Sequence, residues 1–120
     1  MTQKVIAKEL RIGDSIYFPS IKEIRIYNIK SISLNSKENN IKITWGDGYY
    51  DSATIELESS IFTDTYNKKY FLNLKDAEYY QKTLREKYLE DCQNKLEKAI
   101  EELKEATKLL SNSLIKEENN

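Results

Sequence analysis

The sequence predicts an α+β protein: a small antiparallel β-barrel over residues 1–73, one long coiled-coil-like amphipathic helix over 74–115, and a short disordered tail at 116–120. Three observations predict it. All three glycines and the single proline lie before Asn73. Up to that point apolar residues alternate or cluster in short β-branched runs, and beyond it Glu, Lys, Leu and Ala dominate, so the hydrophobic period changes from two to 3.6. Finally, 120 residues is room for one domain, or a small domain with an appendage.

Five short strands are expected. Ile16-Tyr17-Phe18 follows a turn at Gly13-Asp14 and stops at Pro19, which has no N–H to give a central ladder. The run from Ile24 to Leu34 reads as one long strand, yet its apolar positions 24, 26, 29, 32 and 34 change parity midway. A bend near Asn28 to Lys30 reconciles the two registers, as small barrels require. Ile41, Ile43 and Trp45 alternate with Lys42 and Thr44, and Gly46-Asp47-Gly48 then signals a hairpin. Tyr50, Ala53, Ile55 and Leu57 are assigned to the returning strand, and Tyr70-Phe71-Leu72 to the last one. Closing these strands into a barrel removes exposed edges.

Asn73 is placed as the helix cap, with Asp76 three residues on and Leu72 packing against Ala77. Ala77, Tyr80, Leu84 and Tyr88 trace one face. Leu89, Leu96, Leu103 and Leu110 then recur every seven residues, and three positions after each comes a small residue: Cys92, Ala99, Ala106 and Ser113. Such a helix would span about 55–60 Å, wider than a small barrel. Its stripe therefore needs a partner, and self-association through Leu89, Cys92, Leu96, Ala99, Leu103, Ala106 and Leu110 is the expected outcome. Neither the copy number nor the helix direction follows from this pattern.

Composition narrows the chemistry. The chain has no histidine and one cysteine, which removes Ser-His-Asp and Cys-His catalysis, His- or Cys-rich metal sites and internal disulfides. Gly13, Gly46 and Gly48 cannot be arranged into a phosphate-cradling loop. No enzymatic activity, cofactor or metal is expected. Nineteen Lys+Arg against twenty Asp+Glu argue against non-specific binding to nucleic acid. The helical region carries nine basic and eleven acidic residues over 75–120, net −2, too few for a DNA mimic. The first ten residues hold no apolar run of signal-peptide length and no stretch reaches membrane-span length, so cytoplasm is the expected compartment.

The aromatic residues are the main candidates for recognition, since Tyr and Trp bring rigid area and a polar handle. Trp45, Tyr49 and Tyr50 adjoin the hairpin tip. Tyr66, Lys68, Lys69 and Tyr70 interleave aromatic and basic residues, a pattern that a protein surface or a single nucleic-acid strand could meet. The same tyrosines also suit packing of the sheet faces. Asp47 and Asp51 are read as turn residues, because a calcium loop needs further oxygen ligands in alternation. Cys92 stands next to Asp91 and near Glu90, surroundings that disfavour a reactive thiolate, and no histidine is present to act as its base, so it is read as packing in the helix seam.

The string Ile12-Gly13-Asp14-Ser15-Ile16-Tyr17-Phe18-Pro19 resembles the first strand of SH3-like barrels. Phe71-Leu72-Asn73-Leu74-Lys75-Asp76-Ala77-Glu78 resembles the barrel-to-helix junction of small phage and mobile-element proteins, where a Phe-Leu-Thr-x-x-Glu-Ala-Glu string opens a terminal helix. Here Asn73 stands for Thr and Asp76 for Glu. The resemblance implies an SH3-like barrel and a phage or mobile-element setting, hence the host bacterial cytoplasm, and it carries no activity. Three functions stay open: a protein-binding or inhibitor module acting on a host defence protein, a nucleic-acid or nucleotide binder, and a purely structural oligomer.

Overall fold

The computed structural model describes residues 4–118, with side chains described as far as Leu114. A 3₁₀ turn, Ala7–Glu9, precedes seven strands: β1 (Ser15–Pro19), β2 (Ile24–Asn28), β3 (Ser31–Asn35), β4 (Asn40–Thr44), β5 (Ser52–Glu56), β6 (Ile61–Thr63) and β7 (Lys69–Phe71). One helix, α1 (Leu74–Glu118), follows. The strands make two antiparallel sheets, one in the order β2-β1-β7-β6 and one in the order β3-β4-β5. The chain forms two compact units divided between Leu84 and Arg85. The first holds both sheets and the opening turns of α1, and the second is the rest of α1.

In the first unit the strand registers explain which residues are buried. Residues directly opposite each other share a face. Ile43 lies opposite Ile32 and Ala53, and Ile41 opposite Ile55 and the exposed Leu34 at the sheet edge, while Lys42 meets Ser33 and Thr54 on the other side. Ile16 pairs with Tyr27, and Phe62 with Tyr70. The inner faces of the two sheets contribute to one core that includes Ile16, Ile41, Ile43, Ile55, Phe62 and Tyr70. The opposite face of the four-stranded sheet is not bare. Tyr17 and Ile61 both pair with Phe71, and Phe71 meets Tyr80 of α1 at 5.2 Å between ring centroids. Ala77 is fully buried, and Gln81 Nε2 donates to the Ser20 carbonyl at 3.0 Å.

The run 24–34 is two strands in different sheets, not one bent strand. The change of parity falls at Ile29, where the chain passes from one sheet to the other. Ile29 N–H donates to the Asp14 carbonyl and its own carbonyl accepts from Gly13 N–H, both at 2.8 Å. Lys30 N–H then donates to Thr44 in the second sheet at 2.7 Å. Gly13 is at φ +95°, a conformation that costs a side chain dearly and glycine little. Seven strands replace the expected five for two reasons: this split, and Ile61–Thr63, a segment of three residues with one buried side chain that is too short to show a period.

Asn73 does more than start the helix. Its carbonyl accepts from Ala77 N–H at 3.1 Å, as the cap position should. Its side chain, however, turns to the N-terminal segment: Val5 N–H donates to Oδ1 at 2.8 Å, and Nδ2 donates to the Val5 carbonyl at 3.0 Å. The carboxamide thus acts as a strand-like partner for one residue of backbone. Leu72, expected as a staple against Ala77, belongs to the core. At the other end α1 continues to Glu118, past the helix end expected at 115, since no Gly or Pro stops it; Asn119 and Asn120 of the expected tail lie outside the described residues.

Replacing Asn73 with Ala removes both bonds to Val5 and should cost about 1–3 kcal/mol in urea unfolding. Asn73→Asp retains capping ability but loses the Nδ2 donor, and should remain destabilised. Full recovery by Asp would show that capping alone accounts for the residue.

Candidate functional site

In the first unit, two loops place three tyrosines together. The β4–β5 connection is not a tight turn on Gly46-Asp47-Gly48 but a wider loop over 45–51, closed by Trp45 N–H to the Asp51 carbonyl at 3.0 Å. The Asp51 carboxylate sets its shape by accepting from Gly48 N–H at 3.1 Å. A side chain at Gly46 would run into that carboxylate, which is why the loop needs glycine there. Tyr49 and Tyr50 therefore lie on the loop itself, and the returning strand begins at Ser52, not at Tyr50.

The β6–β7 turn is organised by Asp64. Its Oδ1 accepts from the N–H groups of Tyr66 and Lys68 at 2.9 and 3.0 Å, and Oδ2 accepts from the Tyr70 hydroxyl at 3.2 Å. Asn67 takes the left-handed conformation the turn requires, at φ +62°. This presents Tyr66 to Tyr50, ring centroids 4.8 Å apart, while Tyr50 and Tyr49 make an edge-on pair at 5.0 Å. The hydrogen bond with Tyr50, then burial and the charge of Asp64, raise the Tyr66 phenol above its ordinary pKa. The resulting ledge is open to solvent: Tyr49 is 87 %, Tyr66 58 % and Tyr50 46 % exposed.

The remaining candidates separate. Trp45 and Tyr70, expected at the surface with the others, are core residues, 6 % and 5 % exposed. Tyr70 is the hub of a ring cluster: Phe62 stacks on it at 5.0 Å, and Phe18 and Trp45 each lie 5.1 Å away. Burial first, and then the charge and hydrogen bond of Asp64, push the Tyr70 phenol well above its usual range. Lys68 and Lys69 are adjacent in sequence and diverge in space. Lys68 Nζ lies 5.7 Å over the Phe18 ring, whereas Lys69 Nζ lies 5.1 Å over Tyr80. Lys69 instead lines a cleft of about 260 Å³ with Lys4, Ile61, Phe71, Asp76, Tyr79 and Tyr80. Lys4 Nζ stands 3.3 Å from Asp76 there.

Asp64 is the residue that sequence reasoning missed. Its signal was present as an Asp beginning a polar segment that runs to Asn67, the composition of a side-chain-closed turn. No group of three or more metal-ligating side chains occurs among the described residues. Nor, among them, is any helix long and apolar enough to cross a membrane.

The second unit presents the other candidate surface. Leu89, Leu96, Leu103 and Leu110 are all exposed, as are Cys92, Ala99 and Ala106 between them. Ile100, Leu109 and Leu114 add to the apolar area. A row of leucines 58–66 % exposed is uncommon on a surface with no function. Comparison with protein-family models, with curated proteins and with solved structures finds no match.

The raised pKa of Tyr70 has a consequence for stability. In the unfolded chain the phenol ionises near pH 10.0, while in the folded state it keeps its proton above that value. The folded state then binds more protons, so the contribution of this group to stability is level below pH 10.0 and falls as pH rises above it. Tyr70→Phe should lower stability at neutral pH by about 1 kcal/mol through the lost hydroxyl bond, yet flatten the alkaline decline. Urea unfolding across the alkaline range reads both effects, and an unchanged alkaline slope would count against this assignment.

Proposed function

We propose that the protein is a non-enzymatic binding module that pairs with itself through 89–110 of α1 and engages a protein partner with Tyr49, Tyr50 and Tyr66. The observation that carries the reading is the ledge. Three exposed aromatic rings from two separate loops contact one another, and each loop is held by a carboxylate, Asp51 or Asp64. Preorganised tyrosines lose little conformational freedom on binding and are typical of interface hot spots. Asp47 on the same loop lies 3.7 Å from Lys30 Nζ, so the rim of the ledge carries a compensated pair of charges. Lys68 and Lys69 diverge and so do not form a shared cationic track, which favours a protein partner over a nucleic-acid strand in this reading.

In this reading the two sheets are the halves of an SH3-like barrel, which their shared core and the handover at Ile29 support. The likeness of 12–19 and 71–78 to small phage and mobile-element proteins supports only such a setting, and within it the proposed target is a host defence protein met in the bacterial cytoplasm.

Two measurements test the two halves. Full-length protein used as bait in a bacterial lysate should retain a protein partner at moderate salt. Tyr50→Ala with Tyr66→Ala should weaken that capture by more than tenfold, at about 1–2 kcal/mol per ring, without changing the melting temperature. Capture that survives the double substitution, or that proves to be nucleic acid lost steeply with salt, rejects the ledge as a protein site. For the helix, light scattering after size exclusion should show a multimer that Leu96→Lys with Leu103→Lys converts to a soluble monomer. An unchanged mass would sink the seam and leave α1 without this role.

A further inference from the structure

We propose that the seam of α1 is covered by a second copy of this chain running antiparallel, in the one register that places Leu96 opposite Ala99 of the second copy. This rests on the self-association reading above and specifies its geometry. The first argument concerns volume. Along the exposed face the residues alternate between leucine (89, 96, 103, 110) and small (Cys92, Ala99, Ala106, Ser113). Two parallel helices in register would set leucine against leucine and small against small. The leucine layers would then fix the spacing and leave a void at every small layer. In this antiparallel register Leu89, Leu96 and Leu103 face Ala106, Ala99 and Cys92 of the second copy, while Leu110 falls opposite Arg85. The six layers from 89 to 106 then have similar volume, and over them the helices can pack at one close distance.

The second argument is the flanking row, and it selects the register. One residue before each leucine stand Tyr88, Lys95, Glu102 and Leu109, and all four are exposed. In an antiparallel pair this row lies beside its own copy. With Leu96 opposite Ala99, Lys95 falls beside Glu102 of the second copy and Tyr88 beside Leu109, and the two-fold axis repeats each pairing. Sliding one heptad in one direction sets Glu102 beside Glu102 and Lys95 beside Leu109. Sliding in the other sets Lys95 beside Lys95 and Tyr88 beside Glu102. Only the first register matches charge with opposite charge and apolar with apolar, and such flanking pairs set partner and orientation in paired helices. The opposite flank sets Gln93 beside Ile100 and Thr107 beside Glu86 of the second copy, with no like-charge pair.

The native cysteine makes the register measurable. In this arrangement Leu103 faces Cys92 of the second copy. The two Cys92 residues lie eleven residues apart along the axis, about 16 Å, beyond disulfide reach. Full-length protein should run as a dimer by light scattering and form no covalent dimer under mild oxidation. Leu103→Cys should form one rapidly, through Cys92 and the introduced thiol. In a second test that leaves the seam intact, Lys95→Glu and Glu102→Lys should each weaken dimerisation about tenfold, and the double reversal should restore it to within about twofold. A covalent dimer of the native protein through Cys92 would mean parallel helices, and a double reversal that restores nothing would mean another register. Either overturns this inference and leaves self-association standing. A monomer overturns both, and any mass other than a dimer overturns the antiparallel pair.

Discussion

The first unit depends on a single buried contact, the Tyr70 hydroxyl donating to Asp64. A phenol buried among Phe18, Trp45 and Phe62 is a costly group unless its hydroxyl has a partner. Asp64 supplies that partner, and the same carboxylate takes two backbone N–H groups of the following turn. Its charge is thereby compensated by three donors, which is how a carboxylate only 9 % exposed is tolerated. One residue joins the aromatic core to the surface: it orients the hub ring inside and positions Tyr66 outside.

The polar backbone is handled with similar economy. The four-stranded sheet buries its inner face against the three-stranded sheet and part of its outer face against the opening turns of α1, through Phe71 and Tyr80. The N-terminal segment contributes Ala7 and Leu10 to the same core. It is held by Ala7 N–H to Ser59, Lys8 N–H to Leu57 and the Asn73 carboxamide at Val5. These tertiary bonds satisfy main-chain groups that no strand pairing reaches. These bonds tie the segment from Val5 to Lys8 to the helix start and to the β5–β6 connection.

The two exposed surfaces differ in kind. The ledge is small, aromatic and fixed by side-chain-to-backbone bonds within its loops, which suits recognition of a distinct molecule. The helix stripe is long, aliphatic and periodic, with charges confined to its flank, which suits a copy of itself. The ledge belongs to one compact unit and the stripe to the other.

Much of this was legible in the sequence. The α+β class, the change of period near Asn73, the alternation of Ile41 and Ile43, the break in parity before residue 30 and the leucine repeat all follow from local pattern, because burial on one face imprints a period. What the tertiary structure decided was partnership. Local pattern could not say that the parity break sends the chain into a second sheet, or that Trp45 and Tyr70 point inward while Tyr49, Tyr50 and Tyr66 remain outside. Nor could it say that Lys68 and Lys69 serve opposite faces, or that Asn73 clamps Val5 across 68 positions of sequence. A side chain's period records that it has an inside and an outside; which neighbour waits there is set by contacts between residues far apart in the chain, and those exist only once the sheets have met.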